Sequence, residues 1–558
     1  MSQKKVVILG IDGLEPKIVN SLLKAKKLPY LAQLPYYSQL TTTIPPQSPV
    51  AWASFITGVN PEKHRLLDFV KRQPKNYQPY LAYSMGAPEP AIQTKPFWRA
   101  SQKLATRVLF LPDTYPAEKL NGEMISGMGT PDLLGTEGSF YLYSSRKFKK
   151  EFKRGHLVLI KKANRIATTI SGPQYQALQE TKTSSLPLII KPKKGSVELE
   201  IQNQKVSLKV GQFSPWMKLP FKIGWLRKID GIAKFYLGSV HPEINLYLSP
   251  LNIDPYNPFY PISFPQKYSQ KLAQKYGNFA TLGLPHDTWA LQESIFNQAA
   301  FLQQTDDLLQ ERKKIILAEL ASFQSGLFVA YLGTTDSIQH MFWGKEKIIN
   351  DYYQKMDVVV GQIMELLNEN DSLFILSDHG FGGFDYEVHL NAWLRDNGYL
   401  KLKKDKTGGE LLENIDWSKT KAYALGFNSL YLNLKNREGQ GIVAKKKKTG
   451  LIKEIGSKLK NLKNPSNKRK VIKNVYLGDE PDLIIGYYRG YRASWETAVG
   501  VTPKNIFKKR TEKWRGDHLF DVTEVPGVLF ANQKLKIKKP AINDIIPLTL
   551  KKFGVKFP

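Results

Sequence analysis

The sequence predicts a three-layer α/β/α sandwich with a mainly parallel central sheet and a β-rich insertion. Three observations carry that prediction. Short apolar runs end in acidic residues and turn signals, a helical repeat lies between two of those runs, and a stretch of alternating residues interrupts them.

The apolar runs are residues 6–11 leading to Asp12 and Gly13, 327–332 leading to Asp336, and 373–376 leading through Ser377 to Asp378, His379 and Gly380. Buried parallel strands read as continuous apolar stretches and deliver functional groups at their carboxyl ends. Between the second and third runs, Ile348, Tyr352, Met356, Val359, Ile363 and Leu366 recur at helical spacing, which predicts a crossover helix within 345–370. Another long helix is expected over 289–322. From about 150 to 275 the pattern changes: Val197, Leu199 and Ile201, then Val206, Leu208 and Val210, alternate with polar residues across short turns, as strands do.

A chain of 558 residues exceeds what one hydrophobic core supports. The expected organisation is a catalytic core in three parts, 1–149, 276–400 and 501–558, interrupted by the β-rich insertion at 150–275 and a second insertion at 401–500 with a basic loop.

Apolar residues at 42% and charged residues at 23% are ordinary for a folded globular protein. The run 6–11 is cut by Asp12, too soon for a signal-peptide core, and no stretch of about 18 apolar residues is present to span a membrane. A cytoplasmic location is therefore expected. With no cysteine, disulfides and thiolate ligands are excluded, leaving carboxylates, imidazoles and hydroxyls for any metal site. The net charge of +32 suits polyanions, yet no nucleic-acid motif accompanies it, so a lysine-rich exterior without specific nucleic-acid recognition is expected. Its densest cluster is Lys445 to Lys448 with Lys453, Lys458, Lys460, Lys463, Lys468, Arg469 and Lys470.

Ser48 follows Pro45 and Pro46, stands immediately before Pro49 and opens a predicted helix. Free N–H groups and the positive end of the helix dipole attract an anion there, although Ser followed by Pro also serves as a plain helix start. Asp12, Asp336, His340, Asp378, His379 and His518 all fall at strand ends or in the loops that follow. That mixture of carboxylate and imidazole suits divalent metals. Asp336 and His340, four apart, share one face if their turn is helical. Histidines 64, 156, 241, 286 and 389 lack such a setting and read as structural or surface groups, His64 and His389 being the two to watch.

Together these segments resemble the type I phosphodiesterase/nucleotide pyrophosphatase branch of the alkaline phosphatase superfamily. The matching motifs, in order, are Gly10-Ile11-Asp12-Gly13, Pro45-Pro46-Gln47-Ser48-Pro49 with Thr57-Gly58, Pro61-Glu62-Lys63-His64, Gly127-Met128-Gly129-Thr130-Pro131-Asp132, Asp336 to His340, Ser377-Asp378-His379-Gly380 and Gly516-Asp517-His518. The resemblance implies an alkaline phosphatase-like fold and two divalent metal ions, zinc or sometimes manganese. It implies that Asp12, Asp378 and His379 hold one ion, with Ser48 bound to it as nucleophile, and that Asp336, His340 and His518 hold the other. It also implies a small phosphorylated substrate, such as a nucleotide or phosphodiester, cleaved through a phosphoseryl intermediate.

Two positions depart from the family. Phe69 stands where relatives place a phosphate-binding asparagine, and Arg65 stands where a glycine is usual. Trp52 and Phe69 near the nucleophile favour a diester with an apolar second substituent, whereas the Arg65 guanidinium favours a monoester. Sulfatase is not expected, because Ser48 lacks the Pro two positions later and the Arg four positions later that formylglycine formation requires. The alternatives are a phosphomonoesterase or phosphonate hydrolase of the same superfamily, or a non-catalytic binder of a polyanion or membrane surface.

Overall fold

A computed structural model describes residues 4–84, 87–149, 151–177, 180–224 and 227–557. The fold is α/β, with a mainly parallel central sheet and helices. The chain forms two compact units. The first comprises Met1–Leu104, Ser325–Leu327 and Thr335–Pro558, the second Ala105–Gln324 and Phe328–Thr334.

In the first unit the strand Lys5–Ile11 pairs in parallel with Ser372–Leu376, Gly10 lying opposite Leu376. Every residue of both strands is buried, which accounts for their continuous apolar runs, since both faces are covered. Gly527–Ala531 and Tyr36–Leu40 extend this sheet in antiparallel register. The paired strands end together, so Asp12 and Asp378 leave the sheet side by side. Gly13, at φ +73°, makes the turn after Asp12 in a conformation glycine adopts at little cost. Gly10 is needed for a different reason: a Cβ there would lie 2.3 Å from the Trp52 ring.

A second sheet in this unit centres on Gly382–Val388, paired in parallel with Gly490–Ala493 and antiparallel with Phe507–Lys509 and Gly516–Asp517. It brings His518 back from the end of the chain. A third sheet, Ala422–Ala424, Ser429–Leu432, Leu483–Tyr487 and Ile472–Leu477, carries the helix Lys448–Lys460, which buries Ile452, Ile455 and Leu459. The predicted crossover helix is Glu346–Met364, buried along Ile349, Tyr352, Met356, Val359 and Ile363.

In the second unit the predicted alternating strands form a hairpin, Ser196–Ile201 with Gln204–Lys209, in an antiparallel sheet with Glu180–Lys193 and Ile166–Ala177. Phe140–Ser144 pairs with Asn245–Leu248 in this unit. One feature differs from expectation. The helix expected over 289–322 is two helices, Thr288–Gln292 and Gln298–Ser322. Between them Ser294 takes φ 64°, and the Asn297 side chain accepts from Ala300 N as a new cap. Among the described residues no helix is long and apolar enough to cross a membrane.

His64 is structural. It is fully buried, its Nδ1 accepts from Leu66 N at 3.2 Å, and its Nε2 lies 2.9 Å from Ser54 Oγ. Burial, with the Lys71 charge second, lowers its pKa from the usual 6.5 to about 3. The unfolded chain thus takes up a proton that the folded chain refuses. Stability is complete above pH 6.5 and falls as the pH drops from 6.5 towards 3, by up to about 1.4 kcal/mol per pH unit from this group. Urea unfolding of wild type and His64→Gln near pH 7 and near pH 5 should show a shallower loss in the variant; equal slopes would remove His64 from the acid response.

Candidate active site

The six candidate ligands and Ser48 all lie in the first unit, and they form two groups. Asp12, Asp378 and His379 make one, Asp336, His340 and His518 the other, with the potential ligand atoms of each group within 4.8 Å of one another. Asp12 and Asp378 sit at the ends of the parallel strand pair. His379 follows at the sharp turn, where its own carbonyl accepts from Ser377 Oγ at 2.7 Å and Leu14 N donates to that same hydroxyl at 2.8 Å.

Asp336 and His340 stand one turn apart on the helix Thr334–Phe342. Their spacing of four does place them on one face, with His340 Nε2 3.2 Å from Asp336 Oδ1. His518 Nε2 reaches the same oxygen at 3.9 Å. The His379 and His518 rings stack with centroids 3.7 Å apart and 13° between planes, so the two groups adjoin.

Ser48 is the first residue of the helix Ser48–Thr57. Its Oγ lies 3.0 Å from His379 Nε2, beside the first group. The helix ends at Gly58 in the left-handed conformation, and its positive end points the hydroxyl region towards any anion held there.

The three imidazoles share one arrangement. His340 Nδ1 faces Gly516 O at 2.8 Å, His379 Nδ1 faces Gly380 O at 3.0 Å, and His518 Nδ1 faces Pro46 O at 2.7 Å. A carbonyl accepts only from N–H, so each ring carries its proton on Nδ1 and turns the Nε2 lone pair inward. Burial, then the charge on His518, pushes the His379 pKa well below the usual range, and burial also lowers His518. Both shifts favour the neutral imidazole, the form that metal ligation requires.

The carboxylates fit a cation equally well. Among the described residues, Asp378 Oδ2 and Asp336 Oδ1 are buried oxygens without a hydrogen-bond donor, although each lies 3.2 Å from a histidine Nε2. Burial and then the neighbouring Asp12 raise Asp378 well above the carboxylate range. Two carboxylates side by side at 1% and 0% exposure need positive charge between them. At Asp336 burial acts upward, but His340 and His518 outweigh it and hold the carboxyl low; Asp336 in turn raises His340 against the effect of burial. The first group is wholly buried, whereas the Asp336 side chain remains 20% exposed. The Asp336 group is therefore the more accessible to solvent of the two.

The three residues expected to contact substrate sit in different settings. Trp52 is fully buried and its indole N–H donates to Asp12 Oδ2 at 3.2 Å, so it faces a candidate ligand rather than solvent. All ten residues of its helix are buried, which leaves no solvent face in the sequence pattern to reveal its direction. Phe69 is half-buried, edge-on to Phe427 with centroids 6.2 Å apart, and its backbone N–H donates to Gln47 Oε1 at 3.2 Å. Arg65 caps the short helix Pro61–His64 at φ 67°. Among the described residues no hydrogen bond or ion pair joins it to the clustered groups. His389 is buried, with Nδ1 2.6 Å from Asn505 O, outside both groups.

Two supporting residues, Arg492 and Trp514, and the role of a third, Asp517, escaped the sequence reading. Asp517 Oδ1 accepts from His518 N at 2.8 Å and Leu519 N at 3.1 Å, while Asp517 Oδ2 accepts from Trp514 Nε1 at 3.0 Å and from the buried Arg492 guanidinium. Asp517 adjoins His518, the only available signal; Arg492 and Trp514 carry none. Such outer partners orient ligands, and losing one typically lowers metal affinity about 10–100-fold. Trp52→Phe keeps the ring and removes the donor to Asp12, so a drop of about tenfold in affinity of the purified protein for divalent metal is expected. Unchanged affinity by metal titration would show that the indole only fills space.

Residues 6–170 and 238–495 match the sequence model of the type I phosphodiesterase/nucleotide pyrophosphatase family. The chain belongs to that family and is a phosphoric ester hydrolase of the phosphodiesterase/nucleotide pyrophosphatase kind. Its fold is similar to that of phosphonoacetate hydrolase from Sinorhizobium meliloti 1021, solved with phosphonoacetate, at 9% identity over 99% of this chain and 96% of that one, TM-score 0.50. Human ectonucleotide pyrophosphatase/phosphodiesterase 5 aligns at 11% identity over 100% of this chain and 96% of that one, TM-score 0.43. No curated protein sequence matches the chain.

Proposed function

We propose that the chain hydrolyses phosphodiester or nucleotide pyrophosphate bonds with Ser48 as nucleophile. Asp12, Asp378 and His379 would hold one divalent ion, zinc or manganese, and Asp336, His340 and His518 a second. When bound, such ions supply Lewis acidity that favours the serine alkoxide and offsets phosphate charge. The observation that carries this reading is the helix-terminal Ser48 Oγ 3.0 Å from His379 Nε2, beside two ligand triads.

Ser48 Oγ bonds to phosphorus as the bond to the leaving oxygen breaks, releasing an alcohol or a phosphate. Water then attacks the same phosphorus, the bond to Ser48 Oγ breaks and the hydroxyl is restored. His379 Nδ1 is committed to a carbonyl rather than to a carboxylate, so the Ser48–His379 pair lacks the third member of a hydrolytic triad. A general-base role for His379 is accordingly not part of the mechanism.

An aromatic row favours the diester. Phe69 meets Phe427, Phe427 meets Trp495 at 5.0 Å, Trp495 meets Trp514 at 5.8 Å, and Trp514 lies 4.0 Å from the His340 ring. Phe69, Trp495 and Trp514 are only half-buried, and such faces suit a nucleobase or other flat substituent. The test compares nitrophenyl esters of a nucleotide diester, a phosphate monoester and a phosphonate in kcat/KM. The diester should lead by about tenfold or more; a lead for the monoester or the phosphonate would overturn the diester assignment. Phe69→Ala should raise KM for the nucleotide diester by about tenfold, the worth of one stacking contact, with little change for the monoester; equal effects on both would remove Phe69 from substrate binding.

A further inference from the structure

The second insertion carries a surface the hydrolytic site does not use. Residues 445–470 contain eleven lysines and arginines and one carboxylate, Glu454. That stretch is under a twentieth of the chain yet holds close to a third of its net charge of +32. Lys445, Lys446, Lys447, Lys453, Lys460 and Lys463 are exposed, and none of them enters an ion pair among the described residues. The helix Lys448–Lys460 lies on the body through Ile452, Ile455 and Leu459, so its cations occupy the outward side. Lys448 secures one end by pairing with Asp482 at 2.8 Å. Leu477, 70% exposed, ends the neighbouring strand opposite Leu483, next in sequence to that aspartate.

We propose that this face docks the enzyme on a lipid bilayer bearing anionic headgroups. The composition selects that partner. Ten of the eleven cations are lysines, point charges suited to a diffuse negative surface, whereas paired recognition of individual phosphates favours arginine. Residues 445–470 contain no Phe, Tyr or Trp, so they offer no stacking platform for single-stranded nucleic acid. A helix lying flat with a run of lysines facing outward, beside an exposed leucine, is the arrangement that adds electrostatic attraction to modest apolar insertion. Docking there would keep the hydrolase beside phosphate esters at a membrane, and it does not depend on Ser48 or on either metal group.

The test uses the full-length protein and vesicles of phosphatidylcholine alone or mixed with phosphatidylserine, followed by sedimentation. Binding should require phosphatidylserine and weaken as salt rises. Replacing Lys445, Lys446, Lys447, Lys453 and Lys460 by serine should lower vesicle affinity on the order of a hundredfold while leaving turnover of a soluble nitrophenyl ester unchanged. Three results would each overturn the proposal: no preference for anionic vesicles, a fivefold variant that binds them as wild type does, or binding to duplex DNA with none to vesicles. Restoring charge with arginine at the same five positions should recover vesicle binding, which separates loss of charge from loss of fold.

Discussion

Ser48→Ala should lose turnover by about a thousandfold or more while keeping its full complement of divalent metal. The fold has little reason to fail. Alanine is the best helix former, Pro49 still opens the helix, and the deletion forfeits one hydrogen bond to His379, about 1 kcal/mol. None of the six metal-group side chains is altered. The loss would therefore belong to the reacting oxygen, read as kcat for a nitrophenyl nucleotide diester beside elemental analysis of the same sample. Activity within about tenfold of wild type would mean that water attacks directly and Ser48 merely lines the site.

Asp336→Ala and His518→Ala should each take bound metal from two ions per chain towards one, with activity falling alongside. Each change removes one of three ligand side chains from the more open group. The buried group of Asp12, Asp378 and His379 stays intact. His518 also stacks on His379, so its removal leaves a gap as well as a missing ligand. Asp336→Asn preserves size and removes only charge, and it should lose metal as the alanine variant does. Unchanged metal content in all three variants would refute the assignment of this group.

The strands at 6–11 and 373–376 were legible because burial on both faces demands unbroken apolar runs, and the acidic residues that end them mark where the sheet stops. Asp336 and His340 were legible because a spacing of four has one meaning on a helix. The direction of Trp52 was not legible, because its helix has no solvent face; a residue close to Ser48 in sequence can point into the core. The Arg492–Asp517 pair joins strands 25 positions apart, and nothing local in either segment announces the other. The break before Gln298 arises from the cap at Asn297, while the apolar spacing on either side continues as though the helix were whole. The pairing of Phe140–Ser144 with Asn245–Leu248 spans about a hundred positions, which alternation within one segment does not encode.

The most direct measurement stops the enzyme in acid during steady turnover of a nitrophenyl nucleotide ester and weighs its peptides. The account predicts a single nucleotidyl adduct on the peptide containing Ser48, absent from Ser48→Ala and from metal-stripped protein. A fully active enzyme whose adduct sits on another residue, or whose Ser48 peptide stays unmodified, would contradict it.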